Sequence, residues 1–196
     1  QNTNWKDLAF RTGITQNYVL SLSGGSEKTR FYAAGNYYYE EGTLRHNSAR
    51  RFNLRTNISH AINDKLDLTL KVNLRRNNSE SDPSGLDGAL YGAYNNMPWD
   101  APYNADGTVN RGTEGGWYGR EQENFLHGWQ YNRNTGTQSG VDTDVNLTYR
   151  IAEGLTFSTY NRVSYTGTKS ELYHDVRSKA GKGLGRLTNG YGENLS

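Results

Sequence analysis

Residues 66–75 read LDLTLKVNLR, and apolar and polar side chains alternate through all ten positions. Successive side chains of a β-strand point to opposite faces, whereas a helix repeats every 3.6 residues and would mix the two classes. One face of this stretch is therefore leucine and valine, and the other is polar and charged. The pattern predicts a strand whose two faces lie in different surroundings.

Five further stretches alternate in the same way, at residues 17–23, 29–41, 50–61, 140–152 and 155–168. Two positions break the pattern, since Val19 falls on a polar face and Asn161 on an apolar face. Short turns near 24–28, 62–65 and 152–154 join the six stretches into three hairpins, and the other connections are long. The sequence predicts an all-β, antiparallel fold of about six strands in three hairpins.

The composition is unusual for a soluble domain. Only 33% of the 196 residues are hydrophobic and the mean hydropathy is −0.93, yet the chain has 15 Tyr, 4 Trp and 5 Phe. Globular chains are about 45–50% apolar, and disordered chains have few aromatic residues. Many aromatic residues in a polar chain are typical of a membrane β-barrel with an aqueous interior.

Charge and cysteine content exclude several classes of function. The chain has 22 basic and 20 acidic residues and no basic run, so no nucleic-acid partner is predicted. It has no cysteine, which excludes disulfides and thiolate ligands within this sequence. The four histidines lack a metal-ligand spacing, and no Ser/His/Asp arrangement can be assigned. We therefore predict no enzyme activity, no metal and no cofactor.

Strand length and the connections favour a membrane location. Several stretches exceed ten residues, and a tilted strand needs about 9–11 residues to cross a bilayer. Short turns at one rim and long loops at the other are the outer-membrane arrangement, with the short turns periplasmic. Unpaired strand edges are costly in lipid, so we expect the chain to be a segment of a larger barrel. A soluble β-sandwich or lipocalin-like barrel, with the apolar face as its core, is the open alternative.

This interpretation divides the chain into five parts. Residues 1–16 lead into the barrel, 17–76 hold the first four barrel strands, and 77–139 form a long extracellular loop. A further barrel hairpin covers 140–168, and a second extracellular loop covers 169–196. Within the long loop, residues 86–96 are predicted to form a short helix, because Leu86, Leu90 and Tyr94 recur at helical spacing after Asp82.

Short motifs give the chain a family resemblance. They are NTNWKD (2–7), FRTG (10–13), QNYVLSLSGG (16–25), KTRFY (28–32), EG (41–42), RFNLR (51–55), INDKL (62–66) and PYNADG (102–107). Their order and spacing over residues 2–110 resemble the entry to the barrel in SusC/RagA-type TonB-linked outer-membrane transporters. The likeness continues to residue 168 as a looser pattern.

The resemblance implies a function in nutrient uptake. Proteins of this type are 22-stranded barrels plugged by an N-terminal domain, which lie in the lipid of the bacterial outer membrane. A SusD-like surface lipoprotein covers the mouth and helps to capture oligosaccharides or peptides. The TonB–ExbB–ExbD system supplies energy through the plug region. No part of the plug region can be recognised in this sequence. A surface adhesion barrel and a soluble ligand-binding barrel are the alternative functions.

Two groups of residues are candidates for functional contacts. Aromatic rings can stack on sugar faces and peptide side chains, so the aromatic residues of the long loop are candidate ligand contacts: Tyr91, Tyr94, Trp99, Trp117, Tyr118 and Trp129. They could equally pack the loop on itself. Charged residues on the polar faces of the strands are predicted to face the plug or the lumen: Arg51, Arg55, Lys71, Arg75, Asp142, Asp144, Arg150 and Arg162.

A glycine turn is predicted at residues 104–107. Asn104 and Asp106 suggest calcium, but Pro102 and Thr113 stand where an EF-hand loop needs acidic ligands. A turn with Gly107 at positive φ is the better interpretation.

Overall fold

The computed structural model describes residues 2–83, 88–112, 117–118, 124–178 and, for the backbone alone, 191–195. Within these ranges seven strands form one antiparallel sheet in chain order. The strands are β1 (Ile14–Gly25), β2 (Thr29–Glu41), β3 (Ser48–Asn63), β4 (Leu66–Glu80), β5 (Arg133–Ala152), β6 (Leu155–His174) and β7 (Tyr191–Leu195). The antiparallel all-β architecture predicted from the alternation is confirmed.

In the register of the strands, apolar residues mostly pair with apolar residues and polar residues with polar residues across the sheet. Leu70, for example, pairs with Ile58 on β3 and Val145 on β5, whereas its neighbour Lys71 pairs with Asn57 and Asp144. The same parity holds from β1 to β6, so the sheet has one continuous apolar face and one continuous polar face. We call the apolar face of residues 18–37, 52–58, 66–74, 141–151 and 155–165 the apolar band, and the opposite face the polar wall.

No described element covers the apolar band. Phe52, Phe157 and Val163 are 48%, 58% and 71% exposed, and the buried hydrophobic residues all lie outside the sheet. In a soluble sandwich or barrel this face would be the core. An uncovered apolar face with a charged face behind it requires an apolar surrounding, and this distinguishes the sheet from the soluble alternative.

Aromatic residues mark both margins of the apolar band. Toward the long loops, Tyr18 pairs with Tyr37 and Tyr37 pairs with Phe52, and the two tyrosine rings stack with their centroids 6.5 Å apart. Toward the tight turns, Tyr149 pairs with Phe157. Outer-membrane barrels have aromatic girdles at the two lipid–water interfaces, about 25 Å apart. The eight residue steps from Leu66 to Leu74 span about 27 Å along β4, and at a tilt of about 40° they cover about 21 Å of that height.

Asn161, the polar exception in the apolar band, is bonded within the sheet. Its Nδ2 donates to Thr159 Oγ1 at 3.0 Å and to the Val145 carbonyl at 3.4 Å. The amide N–H groups of Asn161 therefore have hydrogen-bond acceptors, although the side chain lies on the apolar band.

The strands extend further than the alternation predicted. β5 begins at Arg133 rather than near 140, β6 runs to His174, and β7 lies in the segment predicted as loop 169–196. Residues 133–139 have polar side chains on both faces, so no alternation marks them. At about 3.4 Å per residue, the 20 residues of β5 span about 65 Å. This length exceeds the apolar band, and β5 and β6 therefore project beyond it at the long-loop rim.

Three short helices lie at that rim: α1 (Trp5–Ala9), α2 (Ala89–Asn95) and α3 (Phe125–Tyr131). The predicted helix over 86–96 corresponds to α2, although 86 and 87 lie outside the described residues. Its predicted apolar stripe is on the wrong face, because Leu90 and Tyr94 are exposed whereas Ala89, Gly92 and Ala93 are buried. The small residues allow close packing, since a Cβ at Gly92 would lie 2.6 Å from Phe125 Cδ1. Among the described helices, none is both long and apolar enough to span a bilayer.

We expect an arginine at position 70 to destabilise the complete barrel by about 2–4 kcal/mol, because Leu70 lies at mid-height in the apolar band. Thr69→Arg is the matched control, since Thr69 lies on the polar wall one residue away, and its cost should be near zero. Reversible urea unfolding of the full-length protein in lipid bilayers measures both values. Equal destabilisation by the two substitutions would contradict the assignment of the faces.

Candidate functional site

Ion pairs cross the polar wall between neighbouring strands. Arg162 forms a two-point contact with Asp144, with Nε 2.5 Å from Oδ1 and Nη2 3.0 Å from Oδ2. Arg75 binds Asp142 and also donates to Thr166 Oγ1 at 2.8 Å, so its guanidinium bridges β4 to β5 and β6. Both carboxylates are half-buried beneath these arginines. The negative charges of this region are therefore already neutralised within the wall.

The reach of Arg75 depends on a glycine. Gly140 is the residue opposite Arg75 in the register of β4 and β5. A Cβ at position 140 would lie 2.7 Å from Arg75 Cζ and Nε, so the guanidinium lies directly over the bare backbone. A larger residue here would require the Arg75 guanidinium to shift from its position between Asp142 and Thr166.

The eight predicted lumen-facing residues all lie on the polar wall, but the register separates them. Arg55, Lys71, Asp142, Asp144 and Arg162 surround an open depression of about 410 Å³, together with Asn57 and Asn73. Arg150 is near the tight-turn rim, where it binds Asp67 and donates to the Asp64 carbonyl at 2.7 Å. Arg51 is near the long-loop rim, with its guanidinium 5.1 Å from the ring centre of Tyr38.

The helices α1, α2 and α3 and the turn 42–47 form what we call the rim cap. Its buried apolar core consists of Trp5, Ala9, Ala89, Ala93, Phe125 and Trp129. Phe125 makes edge-on contacts with Trp5 at 5.7 Å and Trp129 at 4.9 Å, and Trp5 Nε1 donates to the Met97 carbonyl at 2.9 Å. Residues that are 90–120 positions apart in sequence thus share one small core above the sheet.

Asp82 connects this core to the end of β4. Its carboxylate accepts hydrogen bonds from Trp129 Nε1 at 3.1 Å and from the Ala89 backbone N–H at 3.0 Å, where α2 begins. Its own N–H donates to Asn47 Oδ1 at 2.8 Å. The residue is only 8% exposed. It holds α2 and α3 together through its carboxylate and the 42–47 turn through its backbone N–H.

The six candidate ligand aromatics fall into two groups. Trp129 is buried and Trp117 half-buried, with Trp117 in edge-on contact with Trp5 at 5.5 Å. These two pack the rim cap. The other four present their rings outward and are 41–72% exposed: Tyr91, Tyr94, Trp99 and Tyr118. The burial of Trp129 could not be read from the sequence, since its partner Asp82 is 47 positions away.

Two buried amides tie α3 to its surroundings, one to the loop at 102–110 and one to the residue that follows β6. Asn124 Nδ2 donates to the Pro102 and Asn110 carbonyls at 3.0 and 2.8 Å, and Asn132 Oδ1 accepts from the Asp175 N–H at 3.0 Å. Arg177 then binds both carboxylate oxygens of Asp175 at 2.8 Å. Hydrogen bonds from Arg177 hold the pKa of Asp175 well below its ordinary value. Sequence reasoning missed all of these residues, because no periodic pattern marks them.

The turn at 104–107 is formed as predicted, with Gly107 at φ +84°. Asp106 Oδ1 accepts from the Thr108 N–H at 2.9 Å and from Thr108 Oγ1 at 2.6 Å. These bonds lower the pKa of Asp106, and the carboxylate serves its own turn. Over the described ranges, no cluster of three or more His, Asp or Glu side chains could hold a metal ion.

The uncovered apolar band, its aromatic margins and the polar wall define the fold as a segment of a transmembrane antiparallel β-barrel. No family profile matches the chain. Among curated proteins, the TonB-dependent receptor P3 of Formosa agariphila is 25% identical over 194 residues, which cover 94% of this chain and 19% of P3. The TonB-dependent receptor P26 of the same organism is 30% identical over 109 residues, covering 56% of this chain and 11% of P26.

Solved structures show the same fold. The RagAB peptide importer matches in its closed-closed state with a TM-score of 0.65 at 22% identity, and in its open-open state with 0.69 at 20% identity. Each match covers 89% of this chain and 20% of the importer chain. The resemblance to SusC/RagA-type TonB-dependent barrels is thus confirmed. The chain spans about a fifth of the length of these relatives.

Replacing Asp82 with alanine should loosen the rim cap, because the Trp129 indole N–H and the Ala89 N–H would both be left without this acceptor in a buried site. We expect a loss of about 2–4 kcal/mol. Hydrogen exchange of α2 and α3 in the full-length protein measures it. Asp106→Ala is the matched control, since that exposed carboxylate bonds only within its own turn, and exchange in α2 and α3 should not change.

The contact of Asp175 with Arg177 should persist in mild acid. Because the folded pKa of Asp175 is lowered, its stabilising effect is complete above the unfolded pKa of about 3.9 and is lost only as the pH falls through the folded value. Arg177→Gln should therefore move the carboxylate titration upward toward its ordinary range. Infrared spectroscopy of ¹³C-aspartate-labelled protein can follow this titration. An unchanged titration in the variant would contradict the role of Arg177.

Proposed function

We propose that this chain is a sector of the barrel wall and outer rim of a TonB-dependent outer-membrane transporter that imports oligosaccharides or peptides. One observation carries the assignment to a barrel wall: a continuous apolar band lies back to back with a continuous charged wall over six strands in register. Transport is proposed from the similarity to two TonB-dependent receptors over 94% and 56% of the chain. The protein is a transporter rather than an enzyme.

The sector is oriented with its tight turns in the periplasm and its rim cap outside the cell. Short periplasmic turns and long external loops are the general arrangement of such barrels. Residues 77–139 and 169–196 are then the extracellular regions. The polar wall faces inward, where the eight charged residues described above contact the plug or line the path of the solute.

The exposed aromatic residues of the rim cap are the proposed contacts for ligand. Tyr91 and Tyr94 lie one turn apart on the outer face of α2, and Trp99 and Tyr118 follow it. Tyr94 also lies 4.8 Å from Lys6 Nζ, which adds a charge beside the ring. Such rings bury a large area on a flat ligand at a low entropy cost, and this suits both sugars and peptide side chains.

We infer two partners for the complete transporter. The structural neighbours are two-component peptide importers by name, which supports a SusD-like surface lipoprotein at the long-loop rim. Energy would come from the TonB–ExbB–ExbD system through a plug outside this sequence. A peptide is the substrate class that the structural neighbours favour, and oligosaccharides are the alternative.

Purification of the full-length protein from the native outer membrane tests the proposal. We expect the barrel to retain a surface lipoprotein and a bound peptide or oligosaccharide, which mass spectrometry identifies. Trp99→Ala together with Tyr118→Ala should reduce the retained ligand by about tenfold, because two exposed rings are lost.

The matched control is Phe157→Ala, which removes an equally exposed ring from the apolar band and should leave ligand retention unchanged. A protein recovered from the soluble fraction would contradict the proposed transporter. Equal ligand loss in the rim and band variants would contradict only the aromatic contacts.

A further inference from the structure

The polar wall has an excess of positive charge. Its register contains seven basic side chains and four carboxylates over β2 to β6. The basic residues are Arg30, Arg51, Arg55, Lys71, Arg75, Arg150 and Arg162, and the acidic residues are Glu40, Asp67, Asp142 and Asp144. The polar wall therefore has three more basic than acidic side chains among eleven, whereas the whole chain has 22 basic and 20 acidic residues.

The excess is concentrated where Arg55 and Lys71 lie. Within the part of the chain that the structure describes, neither side chain forms an ion pair, although Lys71 pairs in register with Asp144. Both oxygens of Asp144 bind Arg162 instead, and Asp142 binds Arg75. Arg55 and Lys71 are exposed whereas the two carboxylates are half-buried. The depression therefore offers two exposed cations without an ion-pair contact of their own, although the charge of Lys71 still acts on Asp144.

Amide groups complete the lining of the depression. Arg55 pairs across the sheet with Asn73, and Lys71 with Asn57, so the two cations and two amides form a square on adjacent strands. All four line the same depression of about 410 Å³. Asn73 Nδ2 makes one long contact of 3.5 Å with Asp142 Oδ2. A guanidinium, an ammonium and neutral amide donors are groups that bind a carboxylate by charge-assisted hydrogen bonds. Unpaired cations on a pore wall also select for anions.

We propose that Arg55, Lys71, Asn57 and Asn73 form a carboxylate-binding site on the inner wall of the barrel. The site rests on the proposed function, because it needs the polar wall to face the lumen. Its carboxylate could come from an acidic solute in transit or from an acidic side chain of the domain that fills the barrel. The binding chemistry is the same in both cases, and the experiment separates the two sources.

The test measures the local electrostatic potential in the full-length transporter. Asn57→Cys places a thiol opposite Lys71. Two methanethiosulfonate reagents of similar size then modify it, one with a carboxylate and one with a trimethylammonium group. Relative to a free thiol in solution, we expect the carboxylate reagent to react about tenfold faster than the cationic one. Arg55→Gln with Lys71→Gln should reduce this ratio to about one.

A site occupied by the barrel's own domain gives a different positive result. Both reagents then react slowly, and the double substitution speeds both and lowers the melting temperature. Arg150→Gln is the matched control, because it removes a paired cation near the tight-turn rim and should leave the rate ratio unchanged. Raised salt should weaken the preference in the open site.

The inference is overturned if the double substitution changes neither the rate ratio nor the melting temperature, or if Arg150→Gln has the same effect. Labelling requires no transport, so this failure is separate from failure of the proposed function. A protein that imports its ligand, but in which the double substitution changes neither the labelling at position 57 nor the melting temperature, would lose the carboxylate site and keep its assignment as a transporter.

Discussion

Backbone hydrogen bonding is the constraint on which the structure depends. In lipid, each N–H and C=O group of a crossing strand has to find its partner on a neighbouring strand, since water is not available. The register from β1 to β6 meets this demand with irregularities only at Ala61/Asn63 and Arg150/Ala152, both beside tight turns. Because side chains alternate, the same register decides which residues meet lipid. A slip of one residue in β4 would turn Lys71 and Arg75 toward the lipid and bury leucines against charge.

The sequence predicted those parts of the fold that are encoded locally. Alternation over 66–75 is visible in ten consecutive residues and assigns each side chain to a face. The particular partners of Leu70, which are Ile58 and Val145, were not predicted, because a shift by two residues would match the faces equally well. The seven residues by which β5 extends beyond the alternating stretch gave no signal, because water surrounds both faces there. Alternation reports a difference between two environments and is absent where the environments are the same.

Apart from the presence of α2, the rim cap was beyond sequence reasoning for another reason. Its helices have five to seven residues, too few for a clear period. Their stability comes from contacts such as Trp5 with Phe125 and Asp82 with Trp129, across long separations. The aromatic residues of the loop were recognised as important, but nothing local separates a core ring such as Trp129 from an exposed one such as Trp99. Only the exposed rings remain proposed ligand contacts.

The arginine pairs and the free cations of the polar wall belong to one arrangement. Gly140 leaves room for the Arg75 side chain to reach Asp142. Arg162 binds Asp144, so the second carboxylate is also neutralised. Arg55 on β3 and Lys71 on β4 form no close ion pair, because the acids of β5 already bind Arg75 and Arg162. The positive charge exposed on this surface thus depends on which strand supplies the partner of each acid. It also depends on the absence of a side chain at Gly140.

The attachment of the rim cap has a mechanical consequence. Hydrogen bonds through Asp82, Asn132 and Asp175 fasten the cap to the ends of β4, β5 and β6, and α1 is bonded through Ala9 and Arg45 to the turn between β2 and β3. The cap links the strand ends to one another. These ends can move apart only if the hydrogen bonds to the cap break.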